Sequence, residues 1–359
     1  MLRSLIATLM LTSAMAPANS QQPTTSGSQG SQHSTPATPN DAVFPSKPET
    51  LHRIDLYEAA IQQATPSHLS DERLSKLYLE LGGLYGDVAM YPKAEDALRH
   101  AVALLRNGPQ SELASALGHL AVLHIAMGEL HEAEQDQLEA LRIRERVGDP
   151  TATAETWNDL ADIYIKQRQF KKAVDYAQRA MPVLADNPTV DVAARIAVRQ
   201  TLAYALCGIH TCGRAIPMLE DAIELAKNGY GADSLQVGVG YYLLGYASWQ
   251  NGDMAGAAQW MARGTARMKV DLGWGHPVYV NSMANYARFL REHGQTEAAA
   301  AAQREVYQAQ SVVDARSLTS RPTDPVAAAL RSSQHLLLDA AIPAIVPAFK
   351  EAMTHHGLR

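Results

Sequence analysis

The chain has 359 residues, a formal net charge of −6 and 47% hydrophobic side chains. That balance excludes a chain disordered throughout. The acidic charge argues against nucleic acid as the partner, because phosphate binding needs a basic surface. Two cysteines exclude a disulfide-dense scaffold and any four-cysteine metal site.

Residues 1–20 read as a secretory signal peptide. Arg3 supplies the positive start, and Leu5 to Leu11 an apolar stretch too short to span a bilayer. Ala18-Asn19-Ser20 offers small residues for cleavage after Ser20. No cysteine lies near this site, so lipoprotein processing is not expected. No other stretch reaches the roughly 18 apolar residues of a membrane span. The mature protein is therefore expected to be exported, periplasmic or secreted. Residues 21–49 are expected to form a disordered tether, since Gln21 to Asn40 contains no charged and no aromatic residue. Residues 50–74 hold one amphipathic capping helix, Leu51 to Ala64.

A repeat fills residues 75–315, with copies starting near 75, 114, 154, 196, 238 and 280. One position is alanine six times: Ala94, Ala133, Ala173, Ala215, Ala257 and Ala299. The steps are 39, 40, 42, 42 and 42 residues. Thirteen residues before each marker stands Leu81, Leu120, Leu160, Leu202, Leu244 or Tyr286, and the next residue is always Gly or Ala. Seven residues after each marker stands Ala101, Ala140, Ala180, Ala222, Gly264 or Val306. Between these landmarks lies a turn, with Gly128, Gly252 and Gly294 in three copies and Ala89, Arg168 and His210 in the others. Each copy reads as two antiparallel helices with helical apolar spacing on both sides of the turn. Small residues mark where the axes approach most closely. One hairpin cannot bury its own face, so neighbours must stack.

These landmarks resemble the tetratricopeptide repeat. The third copy carries Trp157, Leu160, Ala161, Tyr164, Phe170, Ala173 and Ala180; the first carries Tyr78, Leu81, Gly82, Tyr85, Tyr91, Ala94 and Ala101. The 42-residue step is similar to the longer, kinesin-light-chain-type repeat, as is His276-Pro277 at the start of the last copy. The fourth and sixth copies depart from the pattern at Arg199, Leu206, Tyr286 and Leu290. The resemblance implies an all-α fold, a right-handed α-solenoid of helix hairpins with capping helices. It also implies a non-enzymatic scaffold that binds a protein or peptide in its concave groove.

In such repeats the first helix of each hairpin lines the groove. Carried over position by position, the candidates are Asn158, Asp162 and Lys166, then Gln200 and Tyr204. They continue with Tyr242, Tyr246, Trp249 and Gln250, then Asn281, Arg288 and Arg291. Tyr242, Tyr246 and Trp249 share one helix face. Aromatic and arginine side chains dominate interface energies, and arginines hold carboxylates by charge-assisted hydrogen bonds. The expected ligand is an extended peptide with an aromatic or apolar anchor and an acidic group. The alternative for the same stripe is packing between helices. Two other functions stay open: a factor holding export clients, and a small-ligand or glycan-binding envelope protein.

Cys207 and Cys212 are a candidate disulfide in an oxidising compartment. With His210 they match no zinc spacing, so no metal is expected. His119, His124 and His131 match no His-Glu-x-x-His pattern. No nucleophile elbow, phosphate loop or dinucleotide fingerprint occurs, so no enzyme and no cofactor are expected. Residues 316–359 are expected to cap the array. Asp324-Pro325 would start a helix to about Ala341, and the apolar run from Leu336 to Phe349 is expected to fold onto the last repeat, with docking of a partner as the alternative.

Overall fold

The computed structural model describes residues 47–64, 69–88, 90–273 and 276–319. The expected signal peptide, the tether up to residue 46, the helix from Asp324 and the apolar run to Phe349 lie outside the described residues. Within them there are thirteen α-helices and no strand.

The first helix, α1 (Lys47–Ala64), precedes six hairpins. These are α2 (Asp71–Asp87) with α3 (Tyr91–Leu105), α4 (Gln110–Met127) with α5 (Leu130–Val147), and α6 (Pro150–Lys166) with α7 (Phe170–Leu184). There follow α8 (Val192–Gly208) with α9 (Ala215–Tyr230), α10 (Leu235–Gln250) with α11 (Met254–Leu272), and α12 (Pro277–Glu292) with α13 (Thr296–Thr319). Each helix packs on the next in the chain. The first helices of hairpins three, four and five also touch one another, α6 on α8 and α8 on α10. This is an α-solenoid.

The helices begin three or four residues ahead of the expected repeat starts, because polar caps open them. Ser70 accepts from the backbone N–H of Arg73, Asp149 from Ala152 and Asp191 from Ala193. Each cap satisfies one backbone donor that the first helical turn leaves over. Pro150 and Pro277 stand in the first turn, where no backbone N–H is needed. The first helix starts at Lys47, inside the segment expected to be tether.

The turn within the hairpin needs a left-handed residue. Gly128, Gly252 and Gly294 have φ of 81°, 89° and 73°. In two copies a residue with a side chain takes the same conformation: Arg168 at 60° and His210 at 61°. Each costs on the order of 1 kcal/mol relative to glycine.

The marker alanines Ala94, Ala133, Ala173, Ala215 and Ala257 have no exposed surface, nor do Ala101, Ala180 and Ala222. They lie where paired helices cross. The tightest crossing joins α10 and α11. A Cβ on Gly264 would stand 2.5 Å from the Tyr242 backbone nitrogen and 2.7 Å from the Gly238 carbonyl oxygen. Backbone cannot yield as a flexible side chain would. Gly264→Ala should therefore lower stability by about 1–3 kcal/mol, the cost of overpacking a tight core. Urea unfolding checks this, and an unchanged midpoint would contradict it.

Candidate groove on the first helices of the hairpins

The register places α6, α8, α10 and α12 side by side as the first helices of hairpins three to six. Their shared face carries a continuous set of rings. Tyr204 of α8 stacks on Tyr246 of α10, with ring centroids 6.0 Å apart and planes 16° apart. Tyr246 meets Trp249 edge-on at 6.1 Å. Trp249 meets Phe289 of α12 edge-on at 5.4 Å, and Phe289 stacks on His293 at 4.6 Å. The Arg288 guanidinium lies 5.0 Å from the Trp249 ring centroid. Of the neighbours expected beside the stripe, Tyr204 on one side and Arg288 and Arg291 on the other, Tyr204 and Arg288 are in contact with it and Arg291 is exposed.

Burial narrows the expected set of groove residues. Tyr242 has no exposed surface, and Gln200, Asn158, Asp162, Tyr204 and Trp249 are also buried. Lys166 is nearly so, with a side chain 9% exposed. These residues pack in the layer between touching first helices, which leaves little of them for a ligand. Tyr246, Asn281 and Arg288 are half-buried, and Gln250 and Arg291 are exposed. The accessible surface is therefore richer in arginine than the sequence register alone suggests.

Arg168 belongs to this surface and was not among the expected residues. Its charge acts on the hydroxyls of both Tyr204 and Tyr246. Burial pushes the Tyr246 hydroxyl up, and Arg288 and Arg168 pull it back. Two arginines from different hairpins thus act on the same hydroxyl. Arg168 escapes a sequence reading because it occupies the turn slot that glycine fills elsewhere. The signal available was that very exception, a long cation where glycine is easier. Phe289 and His293 also extend the rings beyond the stripe expected on α10.

Below the rings the face is polar. Asp162 and Lys166 form a buried ion pair at 4.0 Å. Burial pushes the Asp162 carboxyl up to about 6, against the pull of Lys166 and with a push from Asp159. Burial likewise lowers the Lys166 amine, and Asp162 opposes that. Asp159 is held by a 2.7 Å hydrogen bond from the Gln137 side-chain amide. The pair is a costly arrangement for a helix layer, since both charges leave water.

The structure joins Cys207 and Cys212 in a disulfide, with their Cα atoms 4.3 Å apart. It closes the turn from α8 through a 3-10 turn at Cys212–Arg214 into α9. Among the described residues no group of three or more His, Cys, Asp or Glu is arranged to hold a metal. Nor is any described helix long and apolar enough to cross a membrane.

In the first hairpin, Asp87 stands in the slot that Lys166 and Gln250 fill later. It is 5% exposed, and neither carboxylate oxygen has a hydrogen-bond partner. Burial pushes its carboxyl up to about 8, with Arg53 opposing and Glu80 adding to the rise. Folded Asp87 therefore keeps a proton that the unfolded chain releases near pH 4. Stability must fall as pH rises from about 4 towards 8, and the full penalty stands above that range. Asp87→Asn removes the charge at the same size. The melting temperature of the variant minus that of the native chain should grow between about pH 5 and 8, then level off. Parallel curves across that range would contradict the assignment.

Comparison with known proteins agrees with this architecture. Residues 112–186 match the family model of the tetratricopeptide repeat. No curated protein matches the chain in sequence. Among solved structures, the apo form of RapI is similar at a TM-score of 0.62 and 13% identity, over 74% of this chain and 93% of that one. The Rap conjugation regulator of plasmid pLS20, in complex with the Phr* peptide, is similar at 0.56 and 14%, over 77% and 73%. BtubC (BKLC) from P. vanneervenii is similar at 0.50 and 18%, over 66% and 93%. At these identities the likenesses speak for the fold. With the family match over residues 112–186 and the six registered hairpins, the chain has the α-solenoid fold of tetratricopeptide-repeat proteins.

Proposed function

We propose that this chain is a non-enzymatic scaffold that binds an extended peptide or peptide-like segment of a protein across α8, α10 and α12. The observation that carries the reading is the ring set Tyr204–Tyr246–Trp249 with the Arg288 guanidinium over Trp249, where the charges of Arg288 and Arg168 both reach Tyr246. Arg288 and Arg168 would take an acidic group, and the partly open Tyr246 an apolar or aromatic side chain. The buried residues beneath would hold this surface in shape, which lowers the ordering cost of binding. A peptide complex among the structural relatives supports the peptide class of ligand.

The backbone at Arg168 adds support. A non-glycine residue in the left-handed region marks a place where something other than local stability is served. Arg168→Gly should raise stability by up to about 1 kcal/mol. The same change should weaken peptide binding. Urea unfolding reads the first effect, and a pull-down from an extract of the source cells, run beside Arg168→Gly and Tyr246→Ala/Arg288→Ala, reads the second. A partner held by the native chain and lost by both variants is the expected result. A partner held equally by all three would contradict the groove.

We also propose export by the segment 1–20. Its support is the pattern of Arg3, the apolar stretch and Ala18-Asn19-Ser20, together with the Cys207–Cys212 disulfide, which suits an oxidising compartment. Mass spectrometry of the protein from its native source should find Gln21 at the N-terminus. A chain retaining residues 1–20 would contradict cleavage there.

A further inference from the structure

Six residues after each marker alanine stand His100, Glu139, Arg179, Asp221, Arg263 and Glu305. All six are at least partly exposed. They occupy one position on the second helix of every hairpin, and their charge alternates from copy to copy (His100 only when protonated). The cations of the odd copies are held by the aromatic residue 22 positions upstream. His100 stacks on Tyr78 at 5.0 Å, Arg179 lies 4.6 Å from the Trp157 centroid and Arg263 lies 4.9 Å from the Tyr241 centroid. Stacking fixes the guanidinium plane and leaves its N–H edges to meet an acceptor.

The acids nearest the two ends of the row are engaged within the chain. Glu139 meets Arg106 at 3.5 Å, and Glu305 pairs with Lys269. Arg179, Asp221 and Arg263 have no oppositely charged partner among the described residues. These are the third, fourth and fifth members of the row.

We propose that this row is the interface of an antiparallel homodimer, in which a second copy of the chain is the partner. With all six positions paired, a row of six alternating charges is complementary to itself only when reversed, and only that arrangement closes on a two-fold axis. The first member then meets the sixth, the second the fifth and the third the fourth, always with opposite sign. Laid in the same direction, like would meet like. A two-fold axis between the third and fourth hairpins sets Arg179 against Asp221 of the partner subunit, and the reciprocal pair forms by symmetry. Arg263 and Glu139 form the flanking pairs. Trp157 and Tyr176, both half-buried and both under Arg179, add ring surface near the axis. Exposed ion pairs are individually weak, so the dimer is reversible and depends on concentration and salt. Any other partner would need the same alternation at the same spacing, which a second copy has by construction.

Sedimentation velocity of the full chain, from about 1 to about 300 µM, tests this. The expected result is a monomer–dimer equilibrium whose Kd rises at least about tenfold between 0.1 M and 1 M salt, as screening demands. Arg179→Glu sets like charges across the axis and should abolish the dimer. Arg179→Glu with Asp221→Arg exchanges the signs and should restore it. Circular dichroism controls for the fold of both. A monomer throughout the concentration range would overturn the proposal. So would a dimer indifferent to Arg179→Glu, or one that the exchange fails to restore.

Discussion

The structure depends on how closely paired helices can cross. At five of the six crossings stands a residue too small to hold the axes apart: Ala101, Ala140, Ala180 and Ala222, then Gly264. Close crossing lets first helices of successive hairpins touch, as α6 touches α8 and α8 touches α10. That contact brings Tyr204 against Tyr246 from residues 42 apart in the chain. Larger side chains at the crossings would separate the first helices and dissolve the ring set. Packing and candidate function therefore rest on the same small residues.

The two faces of the hairpin have different electrostatics. Along the first helices, charge is drawn inward: Asp162 with Lys166 is buried, and Asp87 is buried without a partner. Such groups do not strengthen the fold, since leaving water costs more than an imperfect pair returns. On the second helices, the row from His100 to Glu305 stays at least partly in water, where charge costs little, while Arg144 is buried. His100, Arg179 and Arg263 spread their charge over aromatic rings, which gives them a fixed direction without burial.

Much of this was legible in the sequence. The six alanines set the period, and the period set the hairpins. Asp149-Pro150 and His276-Pro277 marked two helix starts, and Gly128, Gly252 and Gly294 marked three turns. The register also brought Tyr204 and Arg288 to the aromatic stripe. Depth was not legible: Tyr242, Tyr246 and Trp249 share a helix face, yet Tyr242 is sealed while Tyr246 keeps an open edge. Spacing fixes direction around a helix, whereas depth depends on how far the neighbouring helix has closed in. Arg168 was hidden for another reason. Its position is defined by backbone conformation, and an arginine at φ of 60° has no signature in periodicity.

The central claim is that the ring and arginine surface on α8, α10 and α12 is where this protein meets its ligand. Hydrogen exchange of the chain, alone and with the partner it retains from a source-cell extract, tests that claim most directly. The account predicts that binding slows exchange in α8, α10, α12 and the Arg168 turn, with the second helices α9 and α11 unchanged. Slowing confined to α9 and α11 would contradict it and place the ligand on the opposite face of the hairpins.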